Sequence, residues 1–599
     1  MSSFEISRRL FCGGLAATAM TSGQVRKAWS NSVADPWSQA QAIIDRLAHP
    51  VSIPERSFDV TGFGAAACRR VPFATPYSSG MTHAPGSADN FTAFNATIAA
   101  CHAAGGGRVL VPAGHWYCAG PITLRSNVDF HLNAGASILF SPNPADYAKY
   151  GLYACGPNGN LYRSRWQGND CLNFGAPIYA FQQTNFALTG DDPARCILDG
   201  QSSTPFDGSR CWWTYWGRDQ SYGHVKGAPS QVTANPLNRP LSDVAPGLPA
   251  DQLSLLQDAA GQWKKDVFYL PALSEAGVPF DQRIFGLGHS LRPCMVEVID
   301  CANVLLSGYQ LNNTPFWQHH PVGCRDLAIT NVHANSMGPN NDGFDPESCD
   351  TVLVDNVTFN TGDDCVAVKA GKDNDIGYGP ARNHVFQNCT MNSGHGGITL
   401  GSEMAAGISD MFAQNIAMLN QNWETSPLNI ALRIKANMNR GGSVQNFFVR
   451  NISLPNGVSM TPSSYDSLAL PGSPIPIATS LAQGGVLTID CDYQPAADLI
   501  RTRPPTVKNV HISNVTVTPP PGKPTSCYQA VISVGPVASD YNGTPPMPPI
   551  SPVTGVTICD CDFGAAANSA QPFYLYNTQG MTLKNVTIGG QLYNQTLSG

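Results

Sequence analysis

The sequence predicts an all-β solenoid, and three observations point there. Short apolar strands recur with a period of 20 to 25 residues through the second half of the chain. The 57 glycines and 47 prolines supply turns between them. The intervening residues are Gly, Asn and Thr, without the periodicity of a helix. The strands read as Val296–Asp300, Val304–Ser307, Leu327–Val332 and Thr351–Val357, then, with insertions, His384–Cys389, Phe412–Ile416, Phe447–Ile452, Val507–Val515, Val556–Cys561 and Leu583–Ile588. No such strand buries a face alone, but stacked as coils they bury one continuous core. A leucine-rich repeat shares the period but needs a helical half; a jelly roll or sandwich also suits regular turn spacing.

From the N-terminus, the paired Arg8 and Arg9 in Ser-Arg-Arg-Leu-Phe precede a short, weakly apolar stretch, Leu10 to Met20. This resembles a bacterial twin-arginine export signal with a cut after Ser32-Val33-Ala34, so residues 1–34 are set apart from the fold and a periplasmic or secreted location is expected. A segment 35–56 follows, then a single domain over 57–599. Apolar Phe91, Phe94, Ile98 and Ala99 predict an amphipathic helix within Asn90–Gly105, stopped by Gly105-Gly106-Gly107 and placed to plug the open end of the first coil. Two stretches break the period and read as loop insertions: 202–290, with Trp212, Trp213 and Trp216, and 455–483, rich in Pro and Ser.

Composition bounds the function. Hydrophobic residues make up 42% and charged residues 13%, with a net charge of −7. Disorder and coiled coil are excluded, and no basic stripe is available for nucleic acid. Any anionic substrate must be held by a few local cations. After the leader, no segment approaches the roughly 20 apolar residues that span a bilayer. The 18 cysteines contain no C-x-x-C pair, which argues against a zinc ribbon, a redox motif or structural zinc and favours small buried hydrophobes.

Chemistry concentrates between 340 and 435. Asp342 stands in Asn340-Asn341-Asp342-Gly343, and Asp363 and Asp364 are adjacent in Thr361-Gly362-Asp363-Asp364-Cys365, one coil later. Equivalent points on successive coils lie about 4.8 Å apart, so the three carboxylates should converge. Clustered acids repel, which raises at least one pKa and places a protonated acid beside an ionised base; a calcium site or a ladder of turn residues would use the same spacing. Gly394-His395-Gly396 sets an imidazole between two glycines, where a backbone or ligand comes close. In Arg433-Ile434-Lys435, strand alternation points both cations one way, toward an anion or toward solvent, and sends Ile434 into the core.

The ordered set Asn-x-Asp, Asp-Asp, Gly-His-Gly and Arg-Ile-Lys resembles the polygalacturonase family of glycoside hydrolases, most of all its bacterial exo-acting members. The resemblance extends through Phe58–Gly64, Gly105–Gly107, Asn133–Ala136, Pro315-Phe316-Trp317, Asp345–Ser348 and Gly441-Gly442. It implies a right-handed parallel β-helix that hydrolyses pectin by inversion. Asp363 would be the general acid, Asp342 and Asp364 the water-activating pair, and His395 a residue tuning the acid. Arg433 and Lys435 would bind galacturonate carboxylates, with Asn340 beside them. Asn341 stands where the family usually has Thr, and Phe344 replaces an aliphatic residue, which bears on subsite preference. Neither metal nor organic cofactor is implied. The expected partner is a pectic polysaccharide or oligogalacturonide, and a monomer with no nucleic acid or membrane partner is expected. Inversion implies carboxyls roughly 6.5 to 9.5 Å apart. Exo action follows if the insertions wall off one end of the cleft and the tryptophans cap a terminal sugar. The alternatives are a hydrolase of rhamnogalacturonan or xylogalacturonan, a β-helical lyase, and a carbohydrate-binding protein without activity.

Overall fold

Short β-branched and aromatic strands, each unable to bury its own face, are assembled by coiling. In the computed structural model, the described residues are 35–75, 79–206, 210–215, 266–422, 426–461, 484–493, 502–537 and 549–599. Their strands wind into a parallel β-helix, right-handed as parallel crossovers are. One ribbon runs from Ser57–Asp59 and Gly107–Val111 to Met581–Ile588. A second, across a sharp turn, contains Gly114–Cys118, Ala136–Phe140, Ile197–Asp199 and Gln310–Asn312. The third passes through Ile178–Phe181, Val296–Ile299 and His319–Val322, crosses bridges at Phe344 and Glu347, and continues as Val366–Val368, Ile398–Gly401, Leu432–Lys435, Gly485–Asp490, Gln529–Val534 and Phe573–Tyr576. The third ribbon carries the candidate site.

Inward side chains stack in register. Val109, Phe130, Leu188, Leu306, Ile329, Val354, Phe386, Ala413, Val449, Ile512, Ile558 and Leu583 form one buried column along the first ribbon. The apolar runs read from the sequence all fall on observed strands. Coil lengths of 23 and 25 residues match the expected period, whereas later coils lengthen to 33, 36 and 63 residues between stacked partners. The extra residues are accommodated at the turns, leaving the strand register intact.

Asparagines make those turns possible. Several coils place two residues in a left-handed backbone, Asn383 and Asn388, Asp410 and Asn415, Asn446 and Asn451, and Asn509 and Asn514, with φ between 51° and 62°. Asn and Asp tolerate this region best among residues with a Cβ. Their side chains bond up the stack: Asn446 Nδ2 donates to Asp410 Oδ1 at 2.8 Å, and Asn509 Nδ2 donates to Asn446 Oδ1 at 2.5 Å.

Both ends are covered. The expected capping helix spans Phe91–Ala103 and buries Phe94, Ile98 and Cys101 on the first coil, with Phe94 edge-on to Phe130. At the other end Gln591–Leu597 folds back antiparallel on Met581–Ile588. A further helix, Pro36–Leu47, is started by Asp35 accepting from the Trp37 amide and lies outside the coil. Its Ala40, Ile43 and Leu47 cover the outward Ala328, Leu353, Val385 and Phe412.

A three-stranded antiparallel unit, Tyr153–Ala154, Asn160–Trp166 and Asn169–Asn173, was not expected. Its hairpin turns on Gln167 (φ 46°) and Gly168 (φ 85°), a two-residue turn with positive φ at both positions. With the helix Asp266–Glu275 it lies over the third ribbon, around Trp166, Phe316 and Trp317. The export segment 1–34, Trp216 and residues 462–483 lie outside the described residues. No helix among those described is long and apolar enough to cross a membrane. The seventeen cysteines beyond Cys12 are unbridged and mostly buried, as the small-hydrophobe reading expects.

The ladder yields a stability prediction. Asn446→Ala removes two ladder bonds and places a Cβ residue without a compensating side-chain bond at φ 61°, so it should destabilise by roughly 2 kcal/mol. Asn446→Gly, which relieves the backbone strain, should cost less. Denaturant midpoints of the two variants check this ordering.

Candidate active site

Coil register builds the site. Phe344 pairs with Val366 and Val366 with Ile398, so Asp342 stands one rung from Asp364, and Asp363 one rung from His395. One oxygen from each of Asp342, Asp363 and Asp364 lies within 4.8 Å of the others, as the one-coil spacing predicts.

The glycines around His395 are explained by contact. A Cβ at Gly394 (φ +132°) would meet the Asp363 carbonyl at 2.7 Å, and one at Gly396 would meet Asp364 Oδ1 at 2.7 Å. Both carboxylate residues therefore press on a backbone stripped of side chains. His395 Nδ1 sits 2.9 Å from Asp363 Oδ1. The side chains of His395 and Asp363 are 37% and 13% exposed, against 0% for Asp364, which makes Asp363 the accessible carboxylate of the Asp-Asp pair.

The cations come from the rung register Ala367, Thr399, Arg433 and, two residues along, Lys369, Gly401, Lys435. Ile434 points into the core between Arg433 and Lys435, as alternation requires. Lys435 Nζ donates to Asp364 Oδ2 at 2.8 Å, and Arg433 lies 3.8 Å from Asp364 Oδ1. Both also approach the Tyr493 ring, each 5.2 Å from its centroid. Asn340 donates to Asp363 Oδ2 at 3.3 Å and accepts from the buried Arg292 at 3.0 Å. All seven residues singled out in the sequence are thus brought together.

Electrostatics follow from crowding and burial. Burial, then the charges of Asp345 and Asp363, hold Asp342 well above the ordinary carboxylate range. Burial lifts Asp345 to about 7 although Lys369 pulls the other way. For His395, burial opposes the charged form, but Asp363 outweighs it and raises the imidazole pKa. Three acids in one patch also have the geometry to hold a cation. Here Lys435 and Arg433 supply positive charge to Asp364 from the protein itself.

Residues 287–463 match the model of the family described as Glycosyl hydrolases family 28. The match covers under a third of the chain. Within it lie all the acids, His395, Arg433 and Lys435. A probable polygalacturonase of Vitis vinifera is similar in part: 36% identity over 168 residues, 27% of this chain and 33% of that protein. An exo-poly-alpha-D-galacturonosidase of Dickeya chrysanthemi is 28% identical over 186 residues, 31% of this chain and 27% of the relative. The chain thus spans a third or less of the length of these curated relatives. Among solved structures, a hyperthermoactive exopolygalacturonase from Thermotoga maritima superposes with TM-score 0.67 and 26% identity, covering 94% of this chain and 99% of that one.

The matched segment uses its departures structurally. Asn341 Oδ1 accepts from Ser336 Oγ at 2.6 Å and the Gly338 amide at 2.9 Å, bracing the turn that carries Asp342. Phe344 is core. The tryptophan expectation is corrected: Trp212 and Trp213 are buried, Trp212 edge-on to Tyr147 and Phe174, and Trp213 Nε1 bonded to the Thr314 carbonyl at 2.8 Å. They anchor packing and present no ring to a sugar. Trp213 also backs Gly338, where a Cβ would strike its indole.

Sequence reasoning missed four residues around the site: Asp345, Lys369, Glu403 and Tyr493. Lys369 Nζ lies 3.3 Å from Asp345 and 3.1 Å from Glu403, over the Trp317 ring. The rung register from Lys435 through Gly401 leads directly to Lys369 and was the available signal. Tyr493 follows a variable turn and had none.

An unfolded aspartate titrates near pH 3.9. With Asp342 raised in the fold, the native state binds more protons, so stability falls as pH rises from the unfolded value through the folded one. Asp342→Asn should therefore raise Tm at pH 7 and give little gain near pH 3. Thermal melts at the two pH values check the sign.

Proposed function

We propose that this chain hydrolyses α-1,4-galacturonosyl linkages of polygalacturonate, with inversion and from a chain end. The observation that carries the reading is the three-carboxylate cluster flanked, two rungs from the Asp363-Asp364 pair, by two cations on one strand. Its acids supply proton transfer and its cations match a polymer bearing one carboxylate per sugar. The family 28 match and the activities named for the Vitis, Dickeya and Thermotoga proteins support it.

Asp363 is the proposed general acid. It is the accessible carboxylate of its pair, and its His395 neighbour keeps a proton donor on the cluster's open side. Asp342 and Asp364 activate water. The raised proton affinity of Asp342 suits a base that must draw a proton from water. Acid and base work of this kind needs no cofactor. Exo action is supported by the hairpin, whose Gly168 packs against Lys372 and Glu403 and raises a wall beside the site, and by the exo-acting relatives. The Arg8-Arg9 segment supports action outside the cytoplasm on a pectic partner.

Incubation with polygalacturonate in EDTA tests the reading. New reducing ends without unsaturated product are expected, released as mono- or digalacturonate while viscosity barely falls. Unsaturated product would mean a lyase, no product a binder, and an early viscosity collapse an endo enzyme. The first product anomer by proton NMR should show net inversion. Asp363→Asn should lose roughly 10² to 10⁴-fold in turnover with the fold intact.

Arg433→Ala should raise KM for galacturonate oligomers roughly tenfold to hundredfold and weaken discrimination against methyl esters, which lack the charge it holds. Arg433 is the cleaner probe, because Lys435 also neutralises Asp364. Equal losses on acid and ester substrates would assign Arg433 to structure.

A further inference from the structure

Beneath the hairpin, in the coils before the acids, Cys294, Glu297 and His320 bring a thiol, a carboxylate and an imidazole together in full burial. One ligand atom from each lies within 4.8 Å of the others. Cys294 Sγ is 3.5 Å from His320 Nδ1, and His320 Nδ1 is 3.6 Å from Glu297 Oε1. Tetrahedral zinc, with bonds of about 2.3 Å to sulfur and 2.0 to 2.2 Å to nitrogen and oxygen, sets such donor pairs about 3.4 to 3.6 Å apart. We propose that Cys294, Glu297 and His320 form a structural zinc site that fastens the hairpin Asn160–Asn173 to the third ribbon.

Three further observations fit. His320 Nε2 faces Glu347 Oε2 at 3.0 Å, the carboxylate partner that orients a metal-bound imidazole. Glu347 is itself held by Arg165 Nε at 2.5 Å, from the hairpin. Glu297 accepts from the Ser164 hydroxyl and the Arg165 amide, so the hairpin positions a ligand as well as its outer partner. The Ser164 hydroxyl is the further oxygen donor in contact with the set. Zinc takes thiolate and neutral imidazole, so its capture releases the thiol proton and one imidazole proton for each ion bound.

Glu297 and His320 share the outward face of adjacent strands, paired in register, and Cys294 precedes the first of them. A chain without C-x-x-C pairs gives no sign of zinc by spacing; this set needs only one cysteine, and its members meet only once the coil forms. The set shares no residue with Asp342, Asp363 and Asp364 and does not depend on the proposed hydrolysis.

The test uses the full chain folded with zinc and passed through gel filtration. Elemental analysis should find about one zinc per chain in wild type and less than a tenth of that in Cys294→Ala and in His320→Gln. Cobalt in place of zinc should give a thiolate charge-transfer band that Cys294→Ala lacks. Removing the ion from wild type with a chelator should lower Tm by several degrees, a readout that holds if a variant fails to fold. Zinc absent from wild type, zinc undiminished in both variants, or a Tm unmoved by the chelator would overturn the site.

Discussion

Hydrogen bonds between successive coils hold every rung about 4.8 Å from the next, and the chemistry of this protein is built on that distance. A residue's neighbours are set by register and hardly at all by local sequence. Asp342 meets Asp364, Asp363 meets His395, and Lys369 lies in line with Lys435 because strands pair in parallel without slipping. The same spacing forces like charges together. The fold answers with cations placed on neighbouring rungs: Lys435 and Arg433 against Asp364, Lys369 between Asp345 and Glu403. Asp342 is held above its ordinary range by burial and by the charges of Asp345 and Asp363, with Lys369 opposing them.

The parts of the structure that repeat were legible in the sequence. Runs such as Thr351–Val357 and Phe447–Ile452 announce strands by alternation, and the 21 or 22 residues from Asp342 to the Asp363-Asp364 pair announce one coil. The Gly-His-Gly motif was read as a close approach, and the approach is that of Asp363 and Asp364 themselves. What was not legible is what happens between coils. The hairpin at 160–173 turns on Gln167-Gly168, a pair with no strong turn signal, and its Arg165 finds Glu347 across 182 residues. Trp212 and Trp213 looked like sugar platforms because their burial depends on Tyr147, Phe174 and Thr314, contacts that only the folded chain brings together.

Outward positions on the third ribbon show how the insertion changes the solenoid. On an uncovered coil Glu297, His320, Glu347 and Lys369 would face water. Beneath the hairpin and the helix 266–275 they are buried and must neutralise one another, which they do through Arg165 and the His320 imidazole. Such a network is costly to break at any one point. It ties the wall beside the site to the ribbon that carries the acids, so the position of one constrains the other.

The final strand, Gln591–Leu597, runs against the direction of the strands before it. A parallel β-helix ends in a row of unpaired backbone donors and acceptors shaped to receive another coil, including the first coil of a second molecule. Reversing the last strand changes the hydrogen-bonding pattern offered at that end, and the helix Phe91–Ala103 covers the core at the other. A further parallel coil laid beyond this last strand would not meet the ladder that the preceding coils offer one another.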